Sequence, residues 1–155
     1  FPESLTGADA ALFIASKKAD AYQNEAASGS VVITADTIVC IEGKILGKPA
    51  DEAEAFSMLR MLSGKCHEVI TAVCLLHKQQ KVLFHDTTLV CFKPLTDEEI
   101  RFYISTCKPF DKAGGYGIQE WIGLIGIERI EGSYHNVVGL PVRKVYEQLM
   151  KFSVA

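Results

Sequence analysis

Helix-like and strand-like segments alternate along these 155 residues, which predicts a single α/β domain with a mixed, twisted sheet and flanking helices. Three observations carry that expectation. Apolar residues recur at helical spacing in three stretches, and a capping box opens a fourth helix. Short apolar runs rich in Val and Ile lie between them. Tight hairpin connections and longer crossovers both occur, which calls for strands running in both senses.

The first helix is read over Ala8–Tyr22, with Leu12, Ala15, Ala19 and Tyr22 at helical spacing; Asn24–Ser30 then forms a polar break. Val31-Val32-Ile33 reads as a short buried strand ending in Thr34-Ala35-Asp36-Thr37. Ile38–Ile41 continues extended, and Glu42-Gly43 marks a tight turn into Lys44–Leu46. Asp51 followed by Glu54 resembles a capping box, and Ala55, Met58, Leu59 and Leu62 trace one helical face before the Ser63-Gly64 stop. Glu68–Leu76 and Val82–Phe92 read as a hairpin joined by the polar His77–Lys81 connection. Thr96 and Glu99 form a second capping box, opening a helix that ends before Pro109. Asp111–Gln119 is a glycine-rich loop, Ile122–Ile130 reads as a strand interrupted by Gly123 and Gly126, and Pro141 opens a last helix with Val142, Val145, Tyr146 and Leu149 on one face.

Composition narrows the function classes. Hydrophobic residues at 48% and charged residues at 23% exclude disorder as the main state. No apolar run reaches the roughly 18–20 residues of a membrane span, so no membrane association is expected. A formal charge of −3 argues against a duplex nucleic-acid partner and leaves room for a small anion held by local lysines. Cys40, Cys66, Cys74, Cys91 and Cys107 show no C-x-x-C spacing, and three lie in apolar runs. They read as structural thiols in a reducing cytoplasm. Phe1-Pro2-Glu3-Ser4 has neither the basic nor the apolar region of a signal peptide.

Three places can carry chemistry. Asp36, directly after a buried strand among small residues, sits where open α/β sheets place ligands; it can accept a proton from water or hold a divalent cation. A strand-end aspartate bonded to its own backbone accounts for the position equally well. Gly43-Lys44-Ile45-Leu46-Gly47-Lys48-Pro49 is not a Walker A loop, because the glycine spacing is one residue short and Pro49 stands where Ser or Thr is needed. What survives is Lys48 as a point charge, either on phosphate or only solvated. In Asp111-Lys112-Ala113-Gly114-Gly115-Tyr116-Gly117-Ile118-Gln119, the glycines let backbone N–H groups approach an anion, Lys112 adds charge, and Gln119 can read donor and acceptor patterns on a base. A glycine-bearing turn explains the same residues. Lys17 and Lys18 sit on the first helix, where a solvated pair is the plain reading. The histidines lack metal-ligand spacing, and His67 reads as a loop or capping residue. No G-x-S-x-G is present.

At these same segments the chain resembles the Maf family of nucleoside triphosphate pyrophosphatases. The matching stretches are Ala35–Val39, Ile45–Pro49, Met58–Gly64 with His67, Asp111–Gln119, and Ile130–Tyr134 running to Asn136–Pro141, in the family's order over nearly the whole chain. The resemblance implies a Maf/ITPase-like fold and hydrolysis of a nucleoside triphosphate to monophosphate and pyrophosphate with Mg²⁺ or Mn²⁺. It implies Asp36 as general base or metal ligand, Lys18 and Lys48 on phosphate, and Thr37 and Gln119 in base selectivity. The Ala-Gly-Gly-Tyr-Gly-Ile-Gln form resembles the subgroup acting on dTTP and UTP. Family members begin with a strand and a Ser-x-Ser-Pro-Arg-Arg loop followed by an acidic pair. This sequence has neither, so the expected domain is N-terminally incomplete by roughly 40 residues, and arginines and a glutamate of the family's site fall outside it. The resemblance also allows a homodimer, and the alternative of a non-catalytic, nucleotide-binding regulator of cell division.

Overall fold

In the computed structural model, which describes residues 4–152, the periodic stretches become seven helices and five strands. In chain order they are α1 (Ala8–Asp20), α2 (Gln23–Ala27), β1 (Val32–Ile41), β2 (Lys44–Leu46), α3 (Glu52–Leu62), β3 (Cys66–His77) and β4 (Gln80–Phe92). There follow α4 (Asp97–Cys107), a 3₁₀ turn over Ala113–Gly115, α5 (Trp121–Gly126), β5 (Ile127–Glu131), α6 (Tyr134–Val138) and α7 (Val142–Met150). The strands form one sheet in the order β2-β1-β3-β4-β5, with β1–β2 and β4–β5 antiparallel. The expected α/β class, a sheet with helices, is what forms.

The chain divides into two compact units. One takes in the chain up to Thr37, Ile70–Asp86 and the chain from His135 onward; the other takes in Ile38–Val69 and Thr87–Tyr134. In the first, Val73, Leu75 and Val145 are buried together, with Ala35, Val82, Phe84, Leu140, Leu149 and Phe152 packed around them. Helix α1 buries Ala10, Ala11, Ala15 and Ala19 rather than the Leu12 and Tyr22 of the expected face, and Tyr22 is about half exposed. Alanines let a helix lie close to its neighbour, yet they carry little weight in a periodicity dominated by larger side chains. On α7 likewise, Val145 and Leu149 face the core while Val142 and Tyr146 are exposed.

In the second unit the local signals hold. Asp51 accepts a hydrogen bond from the Glu54 N–H at 2.9 Å, and α3 buries Ala55, Met58, Leu59 and Leu62. Thr96 and Glu99 complete a reciprocal capping box on α4, with bonds of 3.1 and 2.9 Å. Glu42 and Gly43 turn β1 into β2 with φ of 49° and 79°, the paired positive values of a tight hairpin turn.

Four expectations are corrected. Asp36 lies inside a ten-residue strand, not after its end. Ile122–Ile130 splits into α5 and β5, the helix closing at Gly126, where a Cβ would press on Phe92 and Leu95 at 3.2 Å. His67 is a buried strand residue of β3 rather than a loop cap. Cys66 and Cys91 are joined as a disulfide, while Cys40, Cys74 and Cys107 are thiols. The bridged residues are 25 apart in sequence and face each other only because β3 and β4 pair.

Thr96→Ala removes one side of the capping box. It is expected to cost about 1 kcal/mol of stability, read as a lower urea midpoint with an unchanged m-value.

Candidate active site

Side chains on a strand alternate between faces, and β1 uses both. Thr34 and Asp36 point toward α1. The Thr34 hydroxyl donates to the Ala15 carbonyl at 2.7 Å, and Lys18 Nζ donates to Asp36 Oδ1 at 3.1 Å and to the Ala35 carbonyl at 3.2 Å. The buried Ala15 and Ala19 belong to the face of α1 that brings Lys18 to this reach. About half of the Lys18 side chain and one-fifth of the Asp36 side chain are exposed. The pair therefore joins a mostly shielded carboxylate to a cation open to solvent.

Thr37 points the other way. Its Oγ1 lies 2.9 Å from Thr71 Oγ1, and the Thr71 hydroxyl donates to the Asn136 carbonyl at 3.0 Å. A hydroxyl has one proton, so Thr37 donates to Thr71. Asn136 in turn donates through Nδ2 to the Asp86 carbonyl at 3.1 Å. This chain of bonds ties β1 and β3 to α6. The structure brings Lys18 to Asp36 and leaves Thr37 on the opposite face.

The second unit gathers the other expected residues. The Gly114 N–H donates to the Gly47 carbonyl at 3.1 Å, joining the loop of Lys48 to the glycine-rich loop. Gly114 has φ of 75°, and a Cβ there would meet Val39 at 3.0 Å; its turn and its close approach both require glycine. Lys112 Nζ donates to Asp111 Oδ1 at 3.2 Å and lies 3.9 Å from Glu120 Oε1. The Asp111 carboxyl is held below the usual carboxylate range by its bond to Lys112, with the charge of Lys48 adding to the effect. Lys112 thus holds an exposed carboxylate whose place a phosphate oxygen can take over, with the charge of Lys48 as a lesser influence.

Gln119 is exposed on a turn closed by the Glu120 N–H donating to the Gly117 carbonyl at 3.0 Å. Beneath that turn, Tyr103 of α4 is completely buried. Its hydroxyl donates to Glu120 Oε1 at 2.6 Å and accepts from the Gly117 N–H at 2.9 Å. Burial, then the adjacent carboxylate, push the phenol pKa upward, so the hydroxyl keeps its proton. A Cβ on Gly117 would sit 2.6 Å from Glu120 Oε1 and 2.7 Å from Lys112 Cε.

One residue further back in the loop, Tyr116 meets His67, with Nε2 and the phenol oxygen 2.6 Å apart. His67 stacks on Phe92 at 5.7 Å between ring centroids, and Tyr116 meets the same ring edge-on at 5.0 Å. Nδ1 of His67 has no hydrogen-bond partner among the described residues. Burial lowers the His67 pKa to about 4.

Among the described residues no three His, Cys, Asp or Glu side chains converge on a point. Asp36 offers a hard oxygen donor on a single carboxylate. That suits Mg²⁺ or Mn²⁺ carried largely by water and substrate phosphates, and it does not suit an all-protein cage. No helix among the described residues is long and apolar enough to cross a membrane. Sequence reasoning did not single out Tyr103, Glu120, Thr71 or the His67–Tyr116 pair. For Tyr103 one signal existed, a hydroxyl on an apolar helix face three residues after Ile100, where a buried polar tip needs a partner.

Residues 2–152 match the family described as Maf-like protein. The dTTP/UTP pyrophosphatase of Parabacteroides distasonis is 50% identical over 152 residues, covering 98% of this chain and 79% of that protein. The dTTP/UTP pyrophosphatase of Christiangramia forsetii is 54% identical over 150 residues, covering 96% and 76%. That of Porphyromonas gingivalis is 48% identical over 154 residues, covering 98% and 77%.

The buried imidazole generates a pH prediction. With a folded pKa of about 4 against 6.5, the unfolded chain binds the extra proton between those values. Stability is full above 6.5 and falls as pH drops toward 4, by up to about 3 kcal/mol. Denaturant titrations from pH 7 to 4 are expected to show that slope, and His67→Gln to flatten it.

Proposed function

This chain belongs to the Maf-like protein family, and we propose that it hydrolyses nucleoside triphosphates, dTTP and UTP foremost, to the monophosphate and pyrophosphate. The relatives' names support the substrate class. The observation that carries the chemistry is the Lys18–Asp36 pair, a shielded carboxylate held at a fixed point on a strand.

In this reading water attacks the α-phosphorus in line with the leaving group. The new P–O bond forms from the water oxygen, the bond to the pyrophosphate oxygen breaks, and Asp36 accepts the water's proton. Lys18, Lys48 and Lys112 neutralise the phosphates, which matters most because pyrophosphate leaves with high charge. A divalent cation, Mg²⁺ or Mn²⁺, with Asp36 among its ligands would supply further neutralisation of the triphosphate. Gln119 pairs with the edge of the pyrimidine. Thr37, bonded inward to Thr71, serves by holding β1 in register beneath Asp36. Free nucleoside triphosphates are the substrate, which makes the cytoplasm the expected compartment.

The test is product analysis on the intact protein with dTTP, UTP, CTP, GTP and 7-methyl-GTP plus Mg²⁺ or Mn²⁺. Monophosphate and pyrophosphate are expected from dTTP and UTP. Asp36→Asn is expected to lower turnover by about 10²–10⁴-fold with its thermal midpoint nearly unchanged, since a part-exposed ion pair contributes little to stability. Full activity in that variant overturns the role of Asp36. Tight nucleotide binding with no monophosphate released replaces the enzyme by a nucleotide-binding regulator.

A further inference from the structure

We propose that Tyr103 is a positioning residue for base recognition, clamping both ends of the turn that presents Gln119. The inference rests on Gln119 reading the base and names what holds it in place. The turn spans Gly117 to Glu120 and is closed by its own backbone bond, with Gln119 exposed near its crest. A two-residue crest closed by one hydrogen bond does not by itself fix where an exposed amide points. The Tyr103 hydroxyl supplies the missing constraint from below. It accepts a hydrogen bond from the Gly117 N–H at the turn's first residue and donates one to the Glu120 carboxylate at the last.

The geometry makes this clamp stiff. Tyr103 is completely buried on α4 between Ile100 and Ile104, so its ring has no room to swing. One of its two bonds is to a carboxylate, the stronger class of hydrogen bond. A side chain on Gly117 would displace Glu120 Oε1 and the stem of Lys112, which lie 2.6 and 2.7 Å from its Cβ position. The same carboxylate that accepts the Tyr103 hydrogen bond also faces the Lys112 ammonium at 3.9 Å, so one buried hydroxyl orders both the base-reading turn and a charge beside it.

A purely structural tyrosine would change activity on every nucleotide alike. A positioning tyrosine changes the ratio between bases. Uracil and cytosine differ at N3 and C4, where donor and acceptor are exchanged, and only an amide held at a set angle tells them apart. The experiment compares kcat/KM and equilibrium binding of UTP and CTP, the latter with non-hydrolysable α,β-methylene analogues, in the wild-type protein and its variants. Tyr103→Phe keeps the ring and its packing while losing both bonds to the turn. It is expected to reduce the UTP:CTP ratio about tenfold, as is Glu120→Ala. Glu120→Gln, which keeps an acceptor for the hydroxyl, is expected to retain the ratio. Should Tyr103→Phe fail to fold, Glu120→Ala carries the test, because it keeps the buried ring and removes only the carboxylate that Tyr103 and Lys112 share. The loss of that charge beside Lys112 acts on UTP and CTP alike.

Gln119→Ala separates the two levels of the argument. If it abolishes selectivity while Tyr103→Phe and Glu120→Ala preserve it, the clamp is overturned and the base-reading role of Gln119 stands. If Gln119→Ala preserves selectivity, or the wild-type protein does not distinguish UTP from CTP in either measurement, the base-reading role falls and the clamp with it.

Discussion

The pleat of β1 is the constraint on which the first unit's chemistry depends. A strand sends successive side chains to opposite faces, so a single extended segment serves two needs that exclude one another in space. Thr34 and Asp36 turn toward α1, where a hydroxyl-to-carbonyl bond and a lysine fix the carboxylate. Ala35 turns into the apolar cluster around Val73, Leu75 and Val145, and Thr37 into the hydroxyl chain through Thr71 to Asn136. The inward residues hold the strand still by packing and by satisfied hydrogen bonds. A carboxylate on the other side of that strand therefore has a defined position without needing many bonds of its own. A register slip of one residue would reverse every one of these assignments.

The ion pairs of Lys18 and Lys112 contribute little to stability. Lys18 and Lys112 each meet an internal carboxylate, and the partners are part-exposed, so solvent screens most of the energy. Such pairs keep long side chains extended toward one place while remaining easy to break. Neither lysine therefore loses much on exchanging its carboxylate for another anion. The buried polar groups follow the opposite logic. Tyr103 and Thr71 are fully buried and have no access to water as an alternative, so their bonds are expensive to break and set geometry.

The side-chain cap at Asp51, the capping box at Thr96, the apolar face of α3 and the Glu42-Gly43 turn are all legible in sequence, because each depends on residues within a few positions of one another. Asp36 was recognised by type and neighbourhood but placed at the end of a strand, since a Thr-Ala-Asp-Thr stretch has weak strand preference when read alone. Ile122–Ile130 was read as one strand because a short apolar run looks the same as helix or strand until packing decides. Following the Ser63-Gly64 helix stop, His67 reads in sequence as a loop or capping residue. Its burial depends on Phe92 and Tyr116, which supply a ring to stack on and a hydroxyl partner from 25 and 49 residues away in sequence.

Sequence by itself determined the α/β class, the local helix starts and stops, the family, and which side chains carry charge or an amide. These properties reside in composition, short-range spacing and ordered motifs, and they survive without knowledge of any long-range contact. Tertiary structure alone decided that Lys18 reaches Asp36 while Thr37 turns away, that Cys66 meets Cys91, and that Tyr103 stands beneath the Gln119 turn. Each of those depends on strand pairing or helix packing between residues far apart in the chain. Which of two neighbouring residues faces a partner is set by a phase of one position, and only the packed core selects that phase.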